Sequence, residues 1–147
     1  MTVKNYALEW YEYGLKNDDP IIRFMMFWVA FNWLYKECRE ERDDTNIKSF
    51  CHRKYEKLIQ FDAFSSDAFQ VFLEKPVRDE TNGYERRSRF DSIKNDRGPK
   101  RVENLLLTIY QVRCNLFHGS KKLQDPRDMD LVCASADILK GYLEVLL

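Results

Sequence analysis

The clearest chemical signal in this sequence is an arginine followed five positions later by a histidine, Arg113 and His118. An arginine stays protonated and can hold a phosphate through parallel hydrogen bonds. A histidine with an ordinary pKa near ~6.5 can accept or donate a proton at neutral pH. Together, the two side chains have the chemistry needed to hold and cleave a phosphodiester. The chain has only 2 histidines, so few other residues can supply the proton-transfer step.

A helix must position this pair. Apolar residues recur at three- and four-residue intervals over residues 102–117, which is typical of an amphipathic helix. Pro99 suits a first helical turn and Gly119 suits a left-handed cap. We therefore predict a helix from about Pro99 to about His118. Residues five apart are separated by roughly 140° around an ideal helix, so Arg113 and His118 share a side only if the last turn loosens.

The spacing alone also fits a structural interpretation. An arginine often lies on a solvated helix face, and a histidine in the last turn often complements the helix dipole.

Two segments together favour a functional interpretation. The string VRCNLFHGSK (residues 112–121) resembles the signature of the HEPN superfamily, small helical domains whose hallmark is RxxxxH, often written RNxLFHG. The aromatic pattern of residues 24–35, with Phe24, Trp28, Phe31 and Tyr35, resembles the early core helix of the abortive-infection, Apea-like branch. The resemblance covers both core helices and extends to the whole chain.

Two positions depart from the family pattern. Cys114 stands where the family usually has Asn, Asp or His, and Asn115 comes one place later. Asn115 is the candidate to take over the role of orienting the catalytic pair. Ser120 replaces the tyrosine of the RxxxxHxY toxins, which makes a pairing with a nucleotidyltransferase antitoxin less expected.

The resemblance implies a metal-independent endoribonuclease that uses the RNA's own 2′-hydroxyl and leaves a cyclic phosphate. His118 would move protons, Arg113 would hold the phosphate, Asn115 would orient them, and no cofactor would be needed. It also implies a homodimer that joins two RxxxxH motifs in one cleft, and a role as a toxin or phage-defence RNase with a neutralising antitoxin or partner protein. The alternative is an inactive HEPN domain that serves for dimerisation or for RNA or nucleotide binding. A regulatory, antitoxin-like role has only small size in its favour.

A basic segment leads into the predicted catalytic helix. Residues 75–100 show no clear periodicity, and within them Arg86, Arg87 and Arg89 alternate with Tyr84 and Phe90. Arginines interleaved with aromatics can grip phosphates and stack bases, so we predict RNA contacts here. A solvated loop is the other interpretation.

Two lysines lie just past the histidine. Lys121 and Lys122 are candidates to bind flanking phosphates, although exposed loop lysines often bind nothing specific.

Composition limits the other possibilities. The 147 residues are the size of one domain, and 44% hydrophobic with 14% aromatic residues indicate a globular chain. The 24 basic and 24 acidic residues cancel, so RNA contact must come from a local patch. Four cysteines without metal-ligand spacing argue against zinc and favour free thiols. The most apolar stretch, residues 21–35, is too short to span a bilayer, and no signal segment is evident. We therefore expect a soluble, cytoplasmic protein.

The whole pattern predicts an all-α, HEPN-like bundle of five or six helices in a single domain, residues 1–147. The central helix is expected over about Pro20 to Arg42, and its buried polar residue, Asn32, is expected to bond a backbone carbonyl or a helix neighbour. The other predicted helices cover about 3–16, 45–60, 65–73, 99–118 and 128–147.

Overall fold

The fold is all-α. The computed structural model describes residues 2–79, 84, 85, 87–117 and 125–147. Its helices are α1 (Val3–Leu15), α2 (Pro20–Tyr35), α3 (Asp43–Arg53), α4 (Tyr55–Leu58), α5 (Asp67–Glu74), α6 (Arg87–Asn95), α7 (Pro99–Phe117) and α8 (Pro126–Leu146). The described residues also include two 3-10 turns, Lys36–Cys38 and Ala63–Ser65. Two short antiparallel strands pair with each other, β1 (Arg78–Asp79) and β2 (Tyr84–Glu85). The all-α class is confirmed, but the described residues form more helices than the five or six predicted.

Several helices begin directly after a residue whose side chain caps the first backbone N–H groups. The Asp19 carboxylate accepts hydrogen bonds of 2.9 and 3.3 Å from the first two backbone N–H groups after Pro20. Ser66 caps α5 and Asp125 caps α8 in the same manner. These bonds satisfy N–H groups that have no partner within the helix. The predicted starts at Pro20 and Pro99 are confirmed, whereas α8 begins two residues before the predicted position.

The central helix ends earlier than predicted, at Tyr35 instead of Arg42. Arg39 adopts the left-handed conformation with φ of 57°, which an α-helix does not tolerate. The buried side chain of Asn46 then bonds both the N–H (2.8 Å) and the C=O (3.1 Å) of Glu40. This clamp reverses the chain and places the first residue of α3 beside the end of α2.

No helix was predicted between residues 75 and 98, but the second half of this segment forms α6, so the loop interpretation is wrong there. Its apolar content is low, and side chains from α7 stabilise it. Arg101 Nε donates to the carbonyl of Ile93 (2.8 Å), and the amide of Asn104 donates to Ser92 Oγ (3.0 Å). A short helix that depends on such bonds leaves little periodic signal in its own sequence. The predicted third helix is also interrupted at Lys54, where α3 ends and α4 follows.

The buried apolar residues form one cluster to which all eight helices contribute. α2 lies at its centre, packed against α1 and α8, while α7 packs against α3 and α6. The rings of Trp28 and Tyr110 stack with centroids 5.8 Å apart and join α2 to α7. Within the described residues, no helix is both long and apolar enough to cross a membrane.

Candidate functional site

Arg113 lies in the last described turn of α7 and is half buried. Its guanidinium carbon lies 4.5 Å from the centroid of the Phe117 ring, one turn along the helix. One terminal nitrogen, Nη1, approaches the Cys114 sulfur at 4.0 Å. The Nε atom is buried and has no hydrogen-bond partner among the described residues. A buried donor on a cation is costly without a partner, so this arginine retains unused binding capacity.

A polar network lies at the junction of α2 and α3. The Asn32 amide donates to the Tyr35 hydroxyl at 2.6 Å, and that hydroxyl donates to the Asp43 carboxylate at 3.1 Å. Lys36 pairs with the same carboxylate at 3.0 Å. The prediction that Asn32 bonds a helix neighbour is confirmed. The network holds Asp43 in place next to the buried ring of Tyr35.

Electrostatics connect this network to Arg113. Burial, followed by the charge of Asp43, raises the pKa of Tyr35 above its usual range, while Arg113 acts in the opposite direction. Burial and the neighbouring thiol of Cys114 raise the pKa of Tyr110 to about 12, with a further increase from Asp43 and an opposing effect of Arg113. Arg113 and Asp43 therefore act on the same two phenols. Both phenols stay protonated at neutral pH and can donate hydrogen bonds.

The charges of this cluster favour an anion. Lys36 and Arg113 are positive and Asp43 is negative, which leaves an excess of one positive charge. An arginine with an unused donor beside fixed phenols is suited to a phosphate oxygen. We call these residues, Asn32, Tyr35, Lys36, Asp43, Tyr110 and Arg113, the Arg113 cluster.

Several predicted site residues lie outside the described part of the chain. These are His118, Lys121, Lys122 and Arg86. Their roles stay predictions.

The structure places Asn115 in the interior, where its side chain is 3% exposed. Its amide nitrogen donates to the backbone carbonyl of Arg78 at 2.6 Å, and its oxygen accepts from Gln111 at 2.9 Å. These bonds fasten β1 to α7 one residue after Cys114. Its role in orienting the catalytic pair stays a prediction, and these contacts suggest that such a role would act through the position of the α7 backbone.

Arg87 and Arg89 lie in the first turn of α6. Arg87 is exposed, whereas Arg89 is half buried and borders a small pocket with Phe90 and Gln111. Lys94 lies 5.1 Å from the centroid of the Phe90 ring. Since Gln111 belongs to the second half of α7, Arg89 lies beside the half of that helix that carries Arg113. RNA contact by them stays a prediction.

Sequence reasoning missed Asp43 and the role of Tyr35. Asp43 and Asp44 form an acidic first turn of α3, a signal that favours a helix start. The contact between Asp43 and Tyr35 depends on the reversal at Arg39, which no periodicity reveals.

No cluster of three potential metal-ligand side chains occurs among the residues that the structure describes. Comparison with known proteins gave no significant match to any family model, curated protein or solved structure.

Proposed function

We propose that this chain is a metal-independent endoribonuclease of the HEPN type, with an HEPN-like helical bundle, acting as a homodimer. The observation that carries the proposal is the half-buried Arg113, whose Nε has no partner among the described residues. It lies at the end of the helix predicted to carry the RxxxxH pair. A phosphate oxygen would supply the missing hydrogen-bond acceptor.

The chemistry follows from the two side chains. His118 takes the proton of an RNA 2′-hydroxyl, whose oxygen attacks the adjacent phosphorus and displaces the 5′-oxygen of the next nucleotide. The products are a 2′,3′-cyclic phosphate and a 5′-hydroxyl. Arg113 offsets the charge that develops on the phosphate oxygens, an effect that one well-placed donor can make worth about 3 kcal/mol. The leaving oxygen needs a proton, and a second histidine from a partner copy supplies it.

An exposed aromatic surface supports the homodimer. Tyr6, Trp10 and Tyr13 recur at helical spacing along α1, and Tyr6 stacks on Trp33 of α2 with ring centroids 4.8 Å apart. These four residues, the α1–α2 face, are 37% to 56% exposed. At ~150–250 Å² for each aromatic side chain they expose roughly 350 Å². That area is a substantial part of the ~800 Å² that each partner of a stable dimer buries.

Trp33 of the α1–α2 face is adjacent in the chain to Asn32 of the Arg113 cluster. A two-fold dimer uses the same surface on both copies. Pairing through this face would bring the ends of two α2 helices together, and with them two Arg113 clusters. We place the RNA along this cleft, with Arg87, Arg89, Lys121 and Lys122 as candidate contacts for flanking phosphates.

A second function is favoured by one observation. Cys114 occupies the position of the usual polar residue, and its thiol interacts with the Tyr110 hydroxyl beside Arg113. A site altered in this way could retain phosphate binding without cleavage. The chain would then be an inactive HEPN module that dimerises or binds RNA or nucleotides.

Cleavage of mixed RNA by the purified protein in EDTA tests the proposal. We expect fragments ending in 2′,3′-cyclic phosphate from the wild type and none from His118→Ala. RNA that binds but stays intact would favour the binding module. In the cell, we expect growth arrest on expression, relieved by a neutralising partner protein if the chain is a toxin.

A further inference from the structure

A second pocket lies at the opposite end of α7, where α4 and its following turn meet α8. Its volume is about 700 Å³ with the open mouth included, and its walls include Tyr55, Phe61, Asp62 and Tyr142. Binding sites for small molecules commonly have volumes of ~300–1,000 Å³. Arg101 borders it and lies twelve residues before Arg113, or about 18 Å along the helix axis. The pocket is therefore separate from the Arg113 cluster.

Arg101 is held rigidly at the edge of this pocket. Its Nε donates to the carbonyl of Ile93 at 2.8 Å, and its guanidinium lies 3.8 Å from the centroid of the Phe64 ring. None of the carboxylates in the described residues pairs with its terminal nitrogens or with the exposed Arg97 beside it. A planar guanidinium fixed through Nε presents its other nitrogens in the geometry that phosphates prefer.

A buried hydroxyl in the same wall has no partner. Tyr142 is 1% exposed, and its hydroxyl makes no hydrogen bond within the described residues. Burial, followed by Cys51 and Asp62, raises the pKa of Tyr142, while Arg101 opposes this effect. The hydroxyl is thus a neutral donor close to pocket residues. Buried hydroxyls are normally bonded, so this one has an unused donor beside the pocket.

The remaining residues of the pocket wall limit which class of ligand can bind. A small inorganic anion would be repelled by Asp62, whereas a larger ligand can place a donor group against this carboxylate and its anionic group against the two arginines. The rings of Tyr55 and Phe61 offer apolar surface for a flat ring, and Phe61 meets Tyr142 edge to face at 5.2 Å. Aromatic walls, paired arginines and one carboxylate match a base, a phosphate and a sugar hydroxyl or base amino group.

We infer that this pocket binds one nucleotide, with its phosphate on Arg97 and Arg101 and its base against Tyr55 and Phe61. Two sources have this chemistry: a free nucleoside monophosphate and one nucleotide within an RNA strand. The inference does not depend on the proposed nuclease activity, because it concerns different residues.

Calorimetric titration tests the inference with AMP, GMP, CMP and UMP, and separately with a short RNA made uncleavable by 2′-O-methyl groups. The key variant is Tyr142→Phe, which removes only the unpartnered hydroxyl and should leave melting temperature unchanged or higher. We expect affinity to fall about 3- to 10-fold in Tyr142→Phe and about 10-fold in Arg97→Ala. Lys48→Ala removes an exposed cation elsewhere, on α3, and should leave affinity unchanged.

The two arms distinguish the source. If a mononucleotide binds tightly and its affinity falls in Tyr142→Phe and Arg97→Ala, the ligand is a free nucleotide. If only the RNA binds in this way, the ligand is one nucleotide within a strand. Inorganic phosphate should bind at least 10-fold more weakly than the preferred ligand. Absence of binding in both arms, or binding that Tyr142→Phe and Arg97→Ala leave unchanged, overturns the inference. Arg113→Ala should abolish cleavage without changing this binding, so the two proposals fail independently.

Discussion

The two ends of α7 carry an arginine each, and the surroundings of these arginines differ. Arg101 donates to the Ile93 carbonyl and stacks on Phe64, so two neighbouring elements fix it in the fold. Arg113 rests against Phe117 of its own helix, and its buried Nε finds no partner among the described residues. Residue type and helix are the same, so only the surroundings distinguish their roles. The unpartnered Nε of Arg113 favours the chemical step at that end, whereas Arg101 is fixed through Nε and has only its terminal nitrogens left to bind a ligand.

The largest expected effect is on RNA cleavage. Arg113→Ala and His118→Ala should each lower the cleavage rate at least ~100-fold, because each removes a transition-state contribution of about 3 kcal/mol or more. Arg113→Lys keeps the charge but loses the forked geometry, so its cleavage rate should lie between those of the wild type and Arg113→Ala. Single-turnover cleavage of labelled RNA in EDTA measures these rates.

The control for both variants is melting temperature, which should change little because Arg113 lies in the last described turn of α7 and His118 is predicted to follow at the end of the same helix. Cleavage by Arg113→Ala at the wild-type rate would remove the functional distinction between the two ends of α7.

The next effect concerns the surface beside the Arg113 cluster. Trp10→Ala and Trp33→Ala should each weaken dimerisation by about 10- to 100-fold, since large aromatic side chains dominate interface energies. Sedimentation over a range of protein concentrations measures the dissociation constant. Cleavage should fall in parallel at concentrations where the dimer dissociates.

A matched control lies on the same helix. Leu8 and Leu15 project from the opposite flank of α1 and are 39% and 38% exposed, close to the 37% of Trp10. Leu8→Ala and Leu15→Ala should leave dimerisation unchanged. A wild-type protein that sediments as a 17.7 kDa monomer at micromolar concentration would contradict a composite site.

Local sequence was sufficient to predict much of the scaffold. Pro20 follows a capping aspartate and Pro99 opens a long amphipathic run, so both starts were predicted from the sequence. The aromatic stripe of residues 24–35 is buried as its period indicated, except where single residues such as Trp33 face outward.

The site itself depends on contacts that no local pattern encodes. Asp43 reaches Tyr35 only because Arg39 adopts a left-handed conformation and Asn46 clamps Glu40 from six residues away. The orienting role of Asn115 stays a prediction, and no local pattern reveals that its amide bonds a backbone carbonyl 37 positions earlier in the chain. Sequence spacing gives the side of a helix on which a residue lies, but not the partner it meets there.

The two arginines should differ in the opposite sense for stability: Arg101→Ala should lower the free energy of unfolding more than Arg113→Ala does, although it affects cleavage less. Arg101→Ala removes the bond to the Ile93 carbonyl and the stacking on Phe64, so the free energy of unfolding should fall by about 1–3 kcal/mol. Arg97→Ala, at an exposed neighbour, should change it by less than about 0.5 kcal/mol. Urea denaturation without added nucleotide provides both values, and cleavage per folded molecule should stay at the wild-type level in Arg101→Ala. Equal stability of Arg101→Ala and Arg113→Ala would remove the contrast between the two arginines.

The smallest expected effect is on the salt dependence of RNA affinity. It tests whether arginines beside the Arg113 half of α7 contact RNA phosphates. Arg89 lies beside that half and Arg87 is two residues before it on α6, so their positive charge would follow a strand that enters the cleft. Removing one cation that neutralises a phosphate of single-stranded RNA should reduce the slope of log affinity against log salt by about 0.7. Arg87→Ala should therefore lower the slope by about one such increment, and the combined replacement of Arg86, Arg87 and Arg89 by up to about 2. Lys48→Ala, which removes an exposed cation that is not among the predicted RNA contacts, is the comparison and should leave the slope unchanged. Filter binding of a 2′-O-methyl RNA at several salt concentrations measures the slope without cleavage, and equal slopes for wild type and the triple variant would show that α6 binds no phosphate.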